Sequence, residues 1–231
     1  MTFKLTTHAL ACIAILGCSN LWAQDFDLGR FTLSLPGTQW KLLQETKQGL
    51  PMTNGERQDV RLETKSFYAL DKDGIVQNIV LAEGTLNRIA NSNEYMLYSQ
   101  QCEPNETYYA EGETGVKLKN AQCVTAHSPS NTKSLLTSIA PTLLDKFETE
   151  KIPLPEKVVL ISSLYQLSDA TRVRVVALVT PEFQGLENSS AERYPEDVDS
   201  KHVVWAKNLM EEVASGVRSF SSKINVPAMK Y

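Results

Sequence analysis

The chain reads as an α+β protein: a mostly antiparallel sheet built from hairpins, covered by two helices and held by one disulfide. Three observations predict this. Short segments alternate apolar and polar residues and are joined by turn chemistry, as over residues 60–81. Two later segments, over 135–147 and 203–220, repeat apolar residues at spacings of three and four. Nowhere does the strand–helix–strand alternation of a parallel sheet occur.

The first element is not part of that fold. Lys4 gives Met1–Ala23 a positive start, and Ala9–Gly17 is an uncharged apolar run. Leu21-Trp22-Ala23 places a small residue before Gln24, so cleavage between Ala23 and Gln24 is the expected processing of an export signal. Ile15-Leu16-Gly17-Cys18 also resembles a bacterial lipobox, in which Cys18 is the lipidated first residue. That resemblance implies a membrane-anchored lipoprotein instead of a free periplasmic protein. Nine apolar residues reach only about half of a bilayer core, so an uncut anchor is disfavoured. The expected organisation is a signal over 1–23 and one exported domain over 24–231, with a division near Pro129 as the fallback.

Charge and cysteines narrow the function classes. Removing 1–23 takes away one lysine and no acid, so the net charge moves from −4 to −5. An acidic chain without a basic cluster excludes nucleic acid as the expected partner and offers nothing to anionic lipids. No later apolar run reaches spanning length; the best, Val173–Val179, is interrupted by Arg174. Cys12 and Cys18 lie in the signal, which leaves Cys102 and Cys123. In an oxidising compartment this isolated pair is read as a disulfide. A hairpin turning at Gly112-Glu113 would set Cys102 opposite Cys123, within bridging distance. A redox-active pair would need the closer Cys-x-x-Cys spacing.

Phe31–Leu35 alternates and stops at Pro36, a half-buried strand. Val60 and Leu62 alternate with charges on the way to Leu70, Asp71-Lys72-Asp73-Gly74 turns the chain, and Ile75–Leu81 returns. Residues 94–99 and 116–126 predict two more strands. Ser130 or Asn131 caps the helix that follows, and Pro141 kinks or restarts it. Lys157–Leu167 and Thr171–Thr180 form a second hairpin around 168–170. Residues 182–200 read as a polar loop. Val203, Ala206, Met210, Val213, Val217 and Phe220 then mark an amphipathic helix, with Ser200 as its N-cap, packing on the sheet. Phe31–Pro36 followed by Trp40, with the long terminal helix, resembles PsbP-type domains and related bacterial envelope lipoproteins. The resemblance implies an antiparallel sheet flanked by helices and a non-enzymatic accessory role.

Chemical motifs do not emerge. His127 and His202 are far apart in sequence and lack the partner spacing of a zinc site, so both are expected at surface or boundary positions. Aligning Asp71-x-Asp73-Gly74 as a calcium loop puts Ala69 and Val80 at ligand positions. No Gly-x-Ser-x-Gly elbow or phosphate-binding glycine loop is present. Glu103, Glu106, Glu111 and Glu113, with Tyr108 and Tyr109, give the cysteine region an acidic, aromatic tip. No catalytic, cofactor-binding or metal residue is assigned. The expectation is a non-enzymatic periplasmic protein that binds an envelope component, as an accessory or an inhibitor or immunity-type partner. A small hydrolase using carboxylates or a spatially assembled Ser/His triad is the alternative.

Overall fold

The structure is a computed structural model that describes residues 23–37, 39–51, 57–86, 107–113, 121–167, 171–183 and 200–229. β1 (Ala23–Leu28) and β2 (Phe31–Pro36) form a tight antiparallel hairpin, and β11 (Lys223–Asn225) adds to β2 in parallel. This parallel rung departs from the hairpin pattern, because the last strand arrives after the terminal helix and not through a turn. β3 (Lys41–Pro51), β4 (Arg57–Leu70), β5 (Val76–Thr85), β6 (Thr107–Glu113), β7 (Ala121–His127), β9 (Lys157–Gln166) and β10 (Arg172–Val179) form a second sheet. Its order is β3-β4-β5-β10-β9-β7-β6, with every neighbouring pair antiparallel. The short β8 (Ser130–Asn131) pairs with the start of β9.

The turns follow from local chemistry. Between β4 and β5, the Asp71 carboxylate accepts from the N–H groups of Asp73 (2.8 Å) and Ile75 (2.9 Å), the aspartate-turn expected there. Trp40 donates its indole N–H to the Pro36 carbonyl (2.8 Å), which explains why a buried tryptophan follows the proline that ends β2. The Asn131 side chain caps α1 (Thr132–Ile139) by accepting from Ser134 N–H at 3.0 Å. Of the kink or restart expected at Pro141, the structure takes the restart, as α2 (Pro141–Thr149). α3 (Ser200–Arg218) includes Ser200 as its first residue.

The period of two in the central strands divides the molecule. On β10, Val173, Val175, Ala177 and Val179 point one way and are fully buried. There they meet Val159 and Ile161 of β9, Val80 and Ala82 of β5, the small sheet, and Trp205, Leu209 and Val213 of α3. Val176 and Leu178 point the other way, toward Leu136 of α1 and Leu143 and Phe147 of α2. Each fully buried large side chain in these cores contributes about 1.5–3 kcal/mol relative to exposure.

The two sheets are joined where the β1–β2 turn crosses β5. Gly29 takes φ +61°, and a Cβ there would lie 2.7 Å from the Thr85 carbonyl oxygen. Arg30 N–H donates to that same oxygen at 3.2 Å. Gly29 N–H donates to the Glu63 carboxylate, which also meets Lys47 (3.2 Å) and Lys65 (3.6 Å). Burial works to raise Glu63, but the Gly29 N–H and the two ammonium groups outweigh it and hold the carboxyl below its usual range.

Two expectations are overturned here. The β6–β7 register sets Gly112, not Cys102, opposite Cys123, so Gly112-Glu113 is not the turn. Gly112 has φ +115°, and its Cβ would fall 2.2 Å from the Gln122 carbonyl oxygen; the glycine marks a close strand approach inside the ladder. Phe220 does not continue the apolar stripe. α3 ends at Arg218, and Phe220 is fully exposed at 110 %. Trp205, buried and donating to the Pro227 carbonyl at 3.3 Å, anchors the helix instead.

Candidate functional site

The arginines of β10 mark the site. β10 is the central strand of the large sheet, where an ionised side chain carries a desolvation cost. Alternation puts Arg172 and Arg174 on the face carrying α1 and α2. Arg172 is buried, and its Nε donates to Glu83 on the neighbouring β5 at 2.7 Å. The Arg172 N–H donates to the Thr85 hydroxyl at 3.2 Å. Arg174 is half-buried and makes one hydrogen bond, from Nε to the Ser162 hydroxyl at 3.3 Å. Burial pulls its guanidinium below the usual range, opposed by Glu83 and aided by Arg172. Glu83 therefore already binds the deeper arginine, and Arg174 lies beside that pair.

Beside Arg174 the sheet opens into a cleft of about 410 Å³. Its floor is a row of neutral polar residues: Gln44, Thr46 and Gln48 of β3, then Thr64 and Ser66 of β4. These positions recur every second residue, and the β3–β4 register aligns Gln44 with Ser66, Thr46 with Thr64 and Gln48 with Leu62. Leu81, Glu83, Arg174 and Val176 continue the floor, and the elbow between α1 and α2 forms the far wall.

That elbow is a consequence of Pro141. Proline drives the preceding Ala140 out of the helical region, to φ −156° and ψ 64°, and the chain changes direction. Lys146 then fastens α2 to the edge strand by donating to the Leu43 carbonyl (3.0 Å), beside the bulge between Leu42 and Gln44. Gln44 reaches the Thr142 hydroxyl at 3.5 Å.

A second, smaller cleft of about 330 Å³ lies where α3 crosses β7 and β9. Its arginine is already engaged. Arg218 donates from Nε to the Tyr165 hydroxyl (2.8 Å) and from Nη2 to Gln122 Oε1 (3.1 Å), and it lies over the Tyr165 ring. A shallow groove over Glu211, Ser215 and Ser219 adjoins it. Among the described residues, none of these three clefts is lined by a histidine or by two carboxylates.

The residues singled out from sequence do not converge on the cleft. Cys123 is buried against Leu164, while Cys102 and Cys18 lie outside the described residues. Ala23 and Gln24 open β1, opposite Pro36 and Leu35. His127 ends β7. His202 is not at the surface: it is 2 % exposed and stacks on Phe183, because α3 docks through its first turn. Tyr109 packs on the main core and Glu111 pairs with Lys207 of α3, so these two members of the predicted acidic tip are tied to the fold. The strand predicted at 94–99 and residues 184–199 of the loop predicted at 182–200 fall outside the described residues.

Among the described residues no group of three or more His, Cys, Asp or Glu is placed to hold a metal ion. No helix among them is long and apolar enough to cross a membrane. The chain matches no family model, no curated protein and no solved structure. The cleft residues themselves left one trace in the sequence: Arg174 interrupts the longest apolar run beyond residue 23.

Proposed function

We propose that the protein is exported to the bacterial envelope and acts there by binding, without catalysing a reaction, and that the cleft beside Arg174 is its binding site. The observation that carries this reading is the cleft's composition. Among its described lining residues, a half-buried cation stands with amides and hydroxyls, without a second acid, a histidine or an activated nucleophile beside it. The likeness of Phe31–Pro36 and Trp40 to PsbP-type domains points to an accessory role as well. The bound component is an envelope protein or a small molecule held for one.

Export supplies the rest of the proposal. Cleavage after Ala23 would remove only one rung of the β1–β2 ladder and leave Gln24 paired with Leu35. Lipidation at Cys18 would instead tether β1 through five residues, a reach of about 17 Å. A Cys102–Cys123 bridge would fix the segment before β6 to a buried point of β7. Intact mass of the protein from the envelope separates a Gln24 start from a lipidated Cys18 and reads the bridge as two missing hydrogens.

Native mass spectrometry of the gently isolated protein tests the binding role. The expected result is a stoichiometric non-covalent companion, released chemically unaltered on denaturation. Isolation with no companion, or release of a hydrolysed one, would favour the hydrolase alternative.

A further inference from the structure

We infer that the cleft between the sheet and the α1–α2 elbow is a site for a small organic monocarboxylate, with the Arg174 guanidinium as its anion-binding group. The inference rests on the binding role proposed above and adds the chemistry of the ligand.

The charge balance comes first. Glu83 lies beside both Arg172 and Arg174, and Arg172 holds it at 2.7 Å. Of the described residues lining the cleft, Glu83 and Arg174 are the charged ones. Glu83 is thus engaged by Arg172, and Arg174 forms no ion pair of its own among the described residues. Arg174 makes its single hydrogen bond through Nε, so the N–H groups of both terminal nitrogens remain as donors. A guanidinium edge of that kind matches the two oxygens of a carboxylate.

The walls select the rest of the ligand. A single guanidinium among neutral donors suits a monoanion and gives no partner to the second charge of a phosphate dianion. The cleft volume of about 410 Å³ lies at the small end of ligand sites, enough for a short acid and too small for a polymer segment. Gln44, Thr46, Gln48, Thr64 and Ser66 offer hydrogen bonds along one side, while Ile139, Leu143 and Val176 give an apolar surface on the other. An acid carrying hydroxyls on one edge and carbon on the other fits both. Ile139 at the elbow is 40 % exposed, and such a ligand would cover it.

The test is a titration of the purified, 15N-labelled protein with hexanoate and with gluconate, each against its primary amide, and with inorganic phosphate. The Arg174 Nε–H resonance is the readout in the native protein, and the backbone amide resonances of Thr46, Glu83 and Ile139, which line the cleft, are the readout in the native protein and in every variant. Both acids, or one of them, should give a saturable shift with at least tenfold tighter binding than the matching amide. Arg174→Gln should abolish it and Arg174→Lys should weaken it, while Arg218→Gln, at the other cleft, should leave it unchanged. Should Arg174→Gln fail to fold, Thr64→Val and Ser66→Ala provide the second arm, each expected to weaken binding severalfold. Equal binding of acid and amide, tighter binding of phosphate, an unchanged Arg174→Gln titration, or no saturable shift from either acid would each overturn the inference. A native companion of different chemistry, found together with any of those results, would leave the binding role standing and remove only the carboxylate.

Discussion

The two faces of the large sheet are built from the same strands and obey different rules. On the face under α3 and the small sheet, β10 contributes Val173, Val175, Ala177 and Val179 in alternation, and each is fully buried. On the opposite face the same strand contributes Arg172, Arg174, Val176 and Leu178. Only the latter half of that face is apolar, and it is the half that α1 and α2 cover through Leu136, Leu143 and Phe147. Stability is concentrated on the first face. The second face tolerates a half-buried cation and a row of unneeded hydroxyls, features that packing does not ask for.

Substitutions that sort by face sharpen this contrast. Trp205→Ala, in the α3 core, should cost about 3–5 kcal/mol, read as a fall in the denaturant midpoint with an unchanged slope. At the joint between the sheets, Gly29→Ala sets a Cβ against the Thr85 carbonyl at a positive φ and should cost about 2–4 kcal/mol. Glu63→Gln keeps the shape but removes the charge that Lys47, Lys65 and Gly29 N–H surround; a loss of about 1.5–3 kcal/mol is expected near neutral pH.

The same residue fixes a pH dependence. Glu63 is held below its ordinary value of 4.5 in the folded chain, so the unfolded chain takes up the proton first as pH falls. Its contribution is complete above that value and is lost as pH drops through the folded pKa. Melting curves from pH 7 to pH 3 should therefore fall more steeply for the native protein than for Glu63→Gln. Parallel curves would place the acid sensitivity elsewhere.

Much of the first face was legible in the sequence. The apolar alternation of β10, the apolar stripe of α3 as far as Val217 and the turn at Asp71–Gly74 are local patterns, and each appears where its period or turn chemistry put it. The Asn131 cap and the Pro141 restart were equally local. What escaped was non-local. β1 and β3 are short of alternating apolar residues and owe their place to pairing with β2 and β4. The parallel arrival of β11 depends on where α3 ends. Gly112 looked like a turn because glycine serves turns and close strand contacts alike, and only the register distinguishes them. The cleft was least legible of all: Glu83, Arg172 and Arg174 lie on two strands and form no motif in the linear chain. Arg174 was visible as an interruption, but its meaning required knowing that β10 is central.

If Arg174 is kept for a ligand, it contributes little to the fold. Replacing it with methionine tests that most directly, because the side chain keeps an unbranched stem as far as the arginine Nε and loses the charged end. The unfolding free energy of Arg174→Met, read from denaturant titration, should lie within about 1 kcal/mol of the native protein or above it, since one 3.3 Å hydrogen bond is exchanged for relief of a desolvated charge. A loss comparable with that of Trp205→Ala would show that the arginine is a structural member of the second face, and would contradict the account.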